Sequence, residues 1–291
     1  MSTPEAIVQC AAPGAFVFVQ ALASELSRGS LELPGFPEIV VRVRRVLADE
    51  GVAAEKVARV IGAEPVLAAQ LLQTANSVAL NPGGTPVTDL RAAILRVGLD
   101  GVRSTILAFA VRQLRGSANL RGLDRQLDAL WHRSVLTASI CFVIARRLTR
   151  LSADTALLTG LLQGIGRLYI LTRASGYRAL FADVASYEAI EQDWHLSVAV
   201  AILEHWRVDA EIVQAVHDCE DFAREPRGAV SLTDVLTAAT ILAACQDQPE
   251  LIVARLQSVR AIARLNLDTA TCRSLLEESA GEIAALRAAL G

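Results

Sequence analysis

Wherever this sequence repeats a pattern, the repeat is that of an α-helix. From Phe36 to Ala48, Ile39, Val40, Val43, Val46 and Leu47 fall on one side, and Arg42, Arg44 and Arg45 largely on the other. That i, i+4, i+7, i+8 spacing makes one amphipathic helix. Pro34 and Pro37 stop any preceding helix and fix its entry. Ala53 to Ile61 reads as a short helix ended by Gly62, and Pro65 suits the first turn of a helix running from Val66 to Val78. Asn81 to Pro86 is a loop by composition. Helical patterns return at 88–97 and, past Gly98, at 100–114. Gly116 to Gly122 is a connector. A long helical pattern over 123–149 carries Trp131, and Ser152 caps a following apolar helix through Leu158, Leu161 and Leu162. Further helices are expected near 177–185, 195–206, 208–219, 231–245 and 268–289. No stretch alternates as a strand, and no repeat of 20–50 residues is visible. The expectation is an all-α, compact two-lobed helical assembly: a loosely ordered leader over 1–14, an N-terminal lobe over 15–116 and a second lobe over 117–291.

Composition agrees and excludes several functions. Apolar residues make up 53% of the chain but aromatics only 4%, so Ala, Leu, Val and Ile must fill the core. The formal charge of −3 and the absence of a basic segment argue against a nucleic-acid or anionic-membrane surface. Cys10, Cys141, Cys219, Cys245 and Cys272 are scattered with no CxxC pair, as expected of reduced, buried thiols in a cytoplasmic protein. The apolar stretch from Ala11 to Ala23 is broken by Pro13, Gly14 and Gln20 and is too short to span a bilayer, and no positive charge precedes it as in a signal peptide.

Six strings, in order, resemble one family. They are Leu33-Pro-Gly-Phe-Pro37; Gly62-Ala-Glu-Pro-Val-Leu-Ala68; Leu72-Gln-Thr-Ala-Asn76-Ser77; Ala93-Ile94 with Leu95-Arg-Val-Gly98-Leu99 and Val102-Arg103; Leu130-Trp131-His132-Arg133-Ser134; and Gly160-Leu-Leu-Gln163-Gly164-Ile-Gly166. His195, eleven residues before Trp206, adds a further pair. Together they resemble the HDOD (HD-related output domain) family, a relative of the HD-type metal-dependent phosphohydrolases. The resemblance implies an HD-domain-like helical fold in a bacterial regulatory protein without catalysis. It also implies a place in a pathway with a histidine kinase or a cyclic dinucleotide enzyme as partner.

Catalytic HD enzymes hold metal with an upstream His, a His-Asp pair and a later Asp, because imidazole and carboxylate ligands position the ion and activate its water. Here the first position carries Arg133, and the pair is replaced by Gln163-Gly164. His132, one residue away, points about 100° elsewhere on a helix. Arginine opposes a cation, glutamine is a poor ligand and glycine brings no donor. The expectation is therefore no metal, no cofactor and no hydrolase activity. The literal dipeptide His217-Asp218 follows His132 by 85 residues, whereas Gln163-Gly164 follows it by 31, so His217 reads as a helix-end histidine. His195 is expected to start a helix, and His205 adjoins Trp206. The four histidines form no metal-ligand grouping, and there is no GxSxG elbow.

Three functions compete. The first is a protein-interaction module in signalling. The second is a nucleotide or cyclic dinucleotide receptor whose degenerate pocket is lined by Trp131, His132, Arg133, Gln163, Gly164 and His195, with Arg133 facing phosphate. The third, DNA binding, rests on a faint helix-turn-helix likeness at Glu55 to Gly62, but the would-be recognition helix from Val66 to Ser77 carries no Lys or Arg. Asn76, Ser77 and Arg103 are expected at a surface between the lobes. Asn76 also suits a left-handed C-terminal cap.

Overall fold

The computed structural model describes residues 13–28, 38–115, 122–245 and 259–265, apart from isolated positions in their loops, and scattered positions after 265. The described residues form helices and no strands. The helices are α1 (Pro13–Arg28), α2 (Glu38–Leu47), α3 (Ala54–Ile61), α4 (Pro65–Ala75), α5 (Leu90–Arg115), α6 (Asp124–Leu148), α7 (Ala153–Leu162), α8 (Ile165–Ala174), α9 (Val184–His205), α10 (Ala210–Asp218), α11 (Leu232–Ala244) and α12 (Arg260–Arg264).

Two apolar clusters form. The smaller joins α2, α3, α4 and α5 around Val43, Val57, Ile61, Leu67, Leu71 and Val97. In α2 the buried residues are Ile39, Val40, Val43 and Leu47, while Arg42 and Arg45 face solvent, as the spacing dictates. The larger cluster gathers α6 to α11, with Ala108 of α5 and Val259, Leu265, Leu267 and Cys272 beyond them. Its central rod is α6. This helix is long and apolar enough to cross a membrane by length and composition, but 61% of its most apolar window is buried inside the molecule. Its apolar side is spent on α7 and α11.

The lobe boundary differs from expectation at the start of the chain. Residues 15–28 are expected in the N-terminal lobe from the sequence, yet Ala15, Phe18 and Leu22 of α1 lie in the larger cluster. The Phe18 ring meets Tyr177 edge-on at 5.1 Å. Tyr169 donates a 2.6 Å hydrogen bond to Glu25, which also pairs with Arg173. The cause is the i, i+3, i+7 stripe on α1, which needs an apolar partner and finds it on α9 and at Tyr177. Helix α1 begins at Pro13, two residues inside the expected leader, while 1–12 lie outside the described residues.

Glycines bring the larger lobe together. A Cβ at Gly160 would fall 2.5 Å from the Ala138 Cα, so α7 lies backbone to backbone on α6. A Cβ at Gly166 would fall 1.9 Å from the His195 carbonyl oxygen, so α8 crosses α9 equally closely. The elbow between α7 and α8 is thereby fixed against both α6 and α9. Gly98, at φ 69°, ψ 173°, kinks α5 in a conformation glycine adopts without penalty. The two helical stretches expected over 88–97 and 100–114 meet at this break, where Gly98 leaves helical geometry. Gly62 ends α3 as expected, in right-handed geometry, φ −62°, ψ −17°. The helix expected over 195–206 differs at its start: α9 begins at Val184, where the Asp183 side chain accepts from the Ser186 N–H, while Leu180 and Phe181 are helical within the stretch expected near 177–185.

Candidate functional site

Three elements of the larger lobe deliver one buried polar cluster. Arg167 stands in the first turn of α8, Glu191 and His195 are four residues apart on α9, and Glu220 lies just past α10. Arg167 and His195 are 8% and 1% exposed. Nη2 of Arg167 lies 2.8 Å from Nε2 of His195 and 3.1 Å from Oε1 of Glu220. Nη1 of Arg167 lies 3.7 Å from Glu191 Oε1, an ion pair. On its other side His195 Nδ1 lies 2.9 Å and 3.0 Å from the carbonyl oxygens of Glu191 and Gln192. Since carbonyls only accept, Nδ1 carries a hydrogen. His195 Nε2 also lies 3.0 Å from Glu220 Oε1.

Electrostatics follow from this crowding. Desolvation raises the Glu220 carboxyl, but hydrogen bonds and charge from His195 in its protonated form and from Arg167 outweigh it and hold Glu220 at about 2. Burial, then the Glu191 charge, pushes Tyr187 up against a smaller opposing effect of Arg167. Arg133 reaches solvent from α6, yet partial desolvation and the charge of Arg167 lower its pKa against the pull of Glu191 and Glu220. Arg133 thus stands beside the cluster, on its solvent side.

The six residues expected to line a pocket divide. Arg133 and His195 belong together with this cluster. Trp131 is 6% exposed, and with Leu127, Leu130, Ser134, Leu161, Gly164, Ile165 and Leu168 it lines a small, mainly apolar hollow. His132 faces solvent, with Nδ1 2.7 Å from the Asp128 carbonyl one turn back. Gln163 is 4% exposed and caps α7 through its backbone. A Cβ at Gly164 would fall 2.3 Å from the Ser134 hydroxyl. His195 lies in the middle of α9, eleven residues in, and does not start a helix. Arg167, Glu191 and Glu220 were not foreseen. A usable signal existed: Arg167 is one turn beyond Gln163, and Glu191 one turn before His195.

The second expected group also divides. Asn76 caps α4 at φ −98°, ψ 4°, not in left-handed geometry. Its side-chain amide pairs with both backbone groups of Val87, donating at 2.8 Å and accepting at 2.7 Å, so it closes its own loop inside the smaller lobe. The Ser77 hydroxyl is buried without a partner among the described residues. Arg103 bonds within the smaller lobe and meets the other only through Asp100. It donates to the carbonyl of Leu47 on α2 at 3.2 Å and to Asp100 at 2.6 Å, and the other Asp100 oxygen accepts at 2.8 Å from Thr155 of α7. His217 lies in the last turn of α10, exposed and 2.6 Å from Asp218. The four described cysteines are free and buried, while Cys10 lies outside the described residues.

An HD-type metal centre is not matched by these groups. Gly164 has no donor and packs on Ser134, Arg133 is cationic, and the lone pairs of His195 and Glu220 already face the Arg167 guanidinium. Among the described residues, no three His, Cys, Asp or Glu side chains converge to hold an ion.

The helical architecture of the described residues places the chain in the all-α class. Residues 33–222 match the HDOD domain, and the chain belongs to the HDOD family. Similar solved structures include a candidate metal-dependent phosphohydrolase from Shewanella amazonensis SB2B, at 22% identity and TM-score 0.71, covering 96% of this chain and 100% of that one. An HDOD domain protein of unknown function from Geobacter sulfurreducens matches at 22% identity and TM-score 0.60, covering 92% and 98%. A candidate signal transduction protein from Marinobacter aquaeolei VT8 matches at 17% and TM-score 0.58, covering 95% and 66%. No curated protein sequence matches significantly.

Proposed function

We propose that this chain is a cytoplasmic regulatory module of a bacterial signalling pathway, which binds a protein partner such as a histidine kinase or a cyclic dinucleotide enzyme and turns over no substrate. One observation carries this: the imidazole and carboxylates nearest the HD position are bonded to a guanidinium of the chain itself. Membership of the HDOD family supports a signalling role, as does the likeness in fold to the Marinobacter signal transduction candidate. The Shewanella neighbour's description as a phosphohydrolase candidate bears on the fold alone at 22% identity.

A nucleotide or cyclic dinucleotide receptor is the second reading. It is favoured by Arg133, whose guanidinium reaches solvent beside that of Arg167 and is suited to a phosphate. DNA binding gains nothing, because α4 turns Leu67, Gln70, Leu71, Thr74 and Ala75 inward.

The test is a pull-down of the tagged protein from its host cells, wild type against an Arg133→Ala/Gln163→Ala variant, with metal analysis and assays on cyclic dinucleotides and guanosine polyphosphates. A kinase, cyclase or regulator enriched with both proteins supports an adaptor whose docking surface lies outside the pocket. Enrichment with wild type alone places the pocket in the signalling path. Stoichiometric iron or manganese with turnover overturns the proposal.

A further inference from the structure

The cluster offers Nε2 of His195 two neighbours that cannot both be satisfied by one protonation state. With Nδ1–H committed to the carbonyls of Glu191 and Gln192, a neutral His195 presents a lone pair at Nε2. That lone pair accepts from Arg167 Nη2 at 2.8 Å, and the second hydrogen of the same Nη2 goes to Glu220 at 3.1 Å. If Nε2 takes a proton, its N–H donates instead to Glu220, already 3.0 Å away, and Arg167 Nη2 faces a donor across 2.8 Å with nothing to receive its hydrogen.

We propose that His195 is a proton-operated latch on Arg167. Neutral His195 holds the guanidinium between α9 and the end of α10. Protonated His195 takes over Glu220 and releases the guanidinium toward Glu191, the acceptor 3.7 Å from its Nη1. The proton is gained from solvent at Nε2, no covalent bond changes, and only the partner of each donor is exchanged. The charged and titratable groups around the imidazole support the exchange. From α8 there is Arg167, from beyond α10 Glu220 and the buried Cys219 thiol, and from α9 itself Glu191 and Tyr187. From α6 comes Arg133, whose like charge is felt by Arg167. On α1, which also packs on α9, Glu25 is held by Arg173 and Tyr169. Release of Arg167 toward Glu191, with the proton gained at His195, changes the charge that the site presents.

This names the regulation of the site proposed above and rests on that reading only for its consequence in partner binding. The exchange of bonds stands or falls separately, since a hydrolytic chain would show the same exchange and a partner-binding chain would survive its absence. The test uses the wild-type full chain labelled with nitrogen-15, following imidazole and guanidinium signals through a pH titration. A His195→Gln variant assigns the resonance, and an Arg167→Lys variant keeps the charge while removing the forked donor. The expected result is a neutral His195 protonated at Nδ1, with slowly exchanging Arg167 Nη hydrogens that are lost in step with imidazole protonation. A neutral His195 carrying its hydrogen on Nε2 overturns the proposal. So do Arg167 hydrogens that stay protected while the imidazole titrates.

Discussion

At the scale of single residues, the strongest constraints are glycines that no side chain can replace. A methyl group at Gly166 would meet the His195 carbonyl at 1.9 Å and the Ala199 nitrogen at 2.9 Å, both backbone atoms that cannot turn away. Gly166→Ala is therefore expected to cost at least about 3 kcal/mol in urea denaturation. Gly164→Ala meets only the Ser134 hydroxyl, the end of a small side chain, and should cost less. Adding Ser134→Ala should recover most of that loss, and a double variant no better than Gly164→Ala would show that the backbone resists instead. Glu220 offers a different readout. Its carboxyl lies below the usual 4.5, at about 2, so its stabilising contribution is complete above about pH 4.5 and is lost as pH falls through that window toward 2. Acid unfolding of Glu220→Gln should lack that part of the pH dependence, while an unchanged profile would mean that the bonds to Arg167 and His195 do not favour the charged form in solution. These features were half visible in the sequence. The string from Gly160 to Gly166 stood out, but that its outer glycines mark helix contacts emerges only when α6 and α9 are laid against them.

Among elements, helix positions were legible wherever proline, glycine or a capping side chain punctuated the chain, and less so elsewhere. Ser152 caps α7 as expected, its hydroxyl accepting from the Thr155 N–H at 3.2 Å. Helix α9 hid its start because its Asp183 cap follows a segment with similar apolar spacing. The capping box of α11 also carries more than a cap. Asp234 is 0% exposed, accepts from the Ser231 N–H at 2.9 Å, and is paired with both Arg224 and Arg264. One carboxylate thus starts α11, holds the loop before it and ties α12 to both. Asp234→Ala leaves two guanidinium groups without their partner and is expected to cost about 3–5 kcal/mol in denaturant unfolding. Ser231→Ala, which removes only the cap, should cost about 1 kcal/mol. Equal losses for the two would mean that the arginines find other acceptors.

Across the whole molecule, two lobes were expected from the connector near residue 116, and two apolar clusters are present, but the first helix belongs to the second of them. Sequence patterning reports that α1 has an apolar stripe. It does not report which of two apolar surfaces receives it, since that depends on contacts between residues far apart in the chain. The joint between lobes was partly legible through Arg103, whereas Asp100 and Thr155 gave no sign of meeting. Thr155→Val should destabilise by about 1 kcal/mol and lose its effect in an Asp100→Ala background. Full additivity in that double-mutant cycle would show that the 2.8 Å hydrogen bond contributes nothing. The placement of α1 also has a consequence for the order of events at the ribosome. Its anchor Glu25 waits for Arg173, 148 residues later, which at about 5–20 residues per second is a delay of roughly 7–30 s. The smaller cluster needs nothing beyond Ala110 and is free to form in that interval. Helix α1, made before the other described helices, is therefore among the last of them to find its place, and its apolar stripe is a natural client for a nascent-chain chaperone until α9 has emerged.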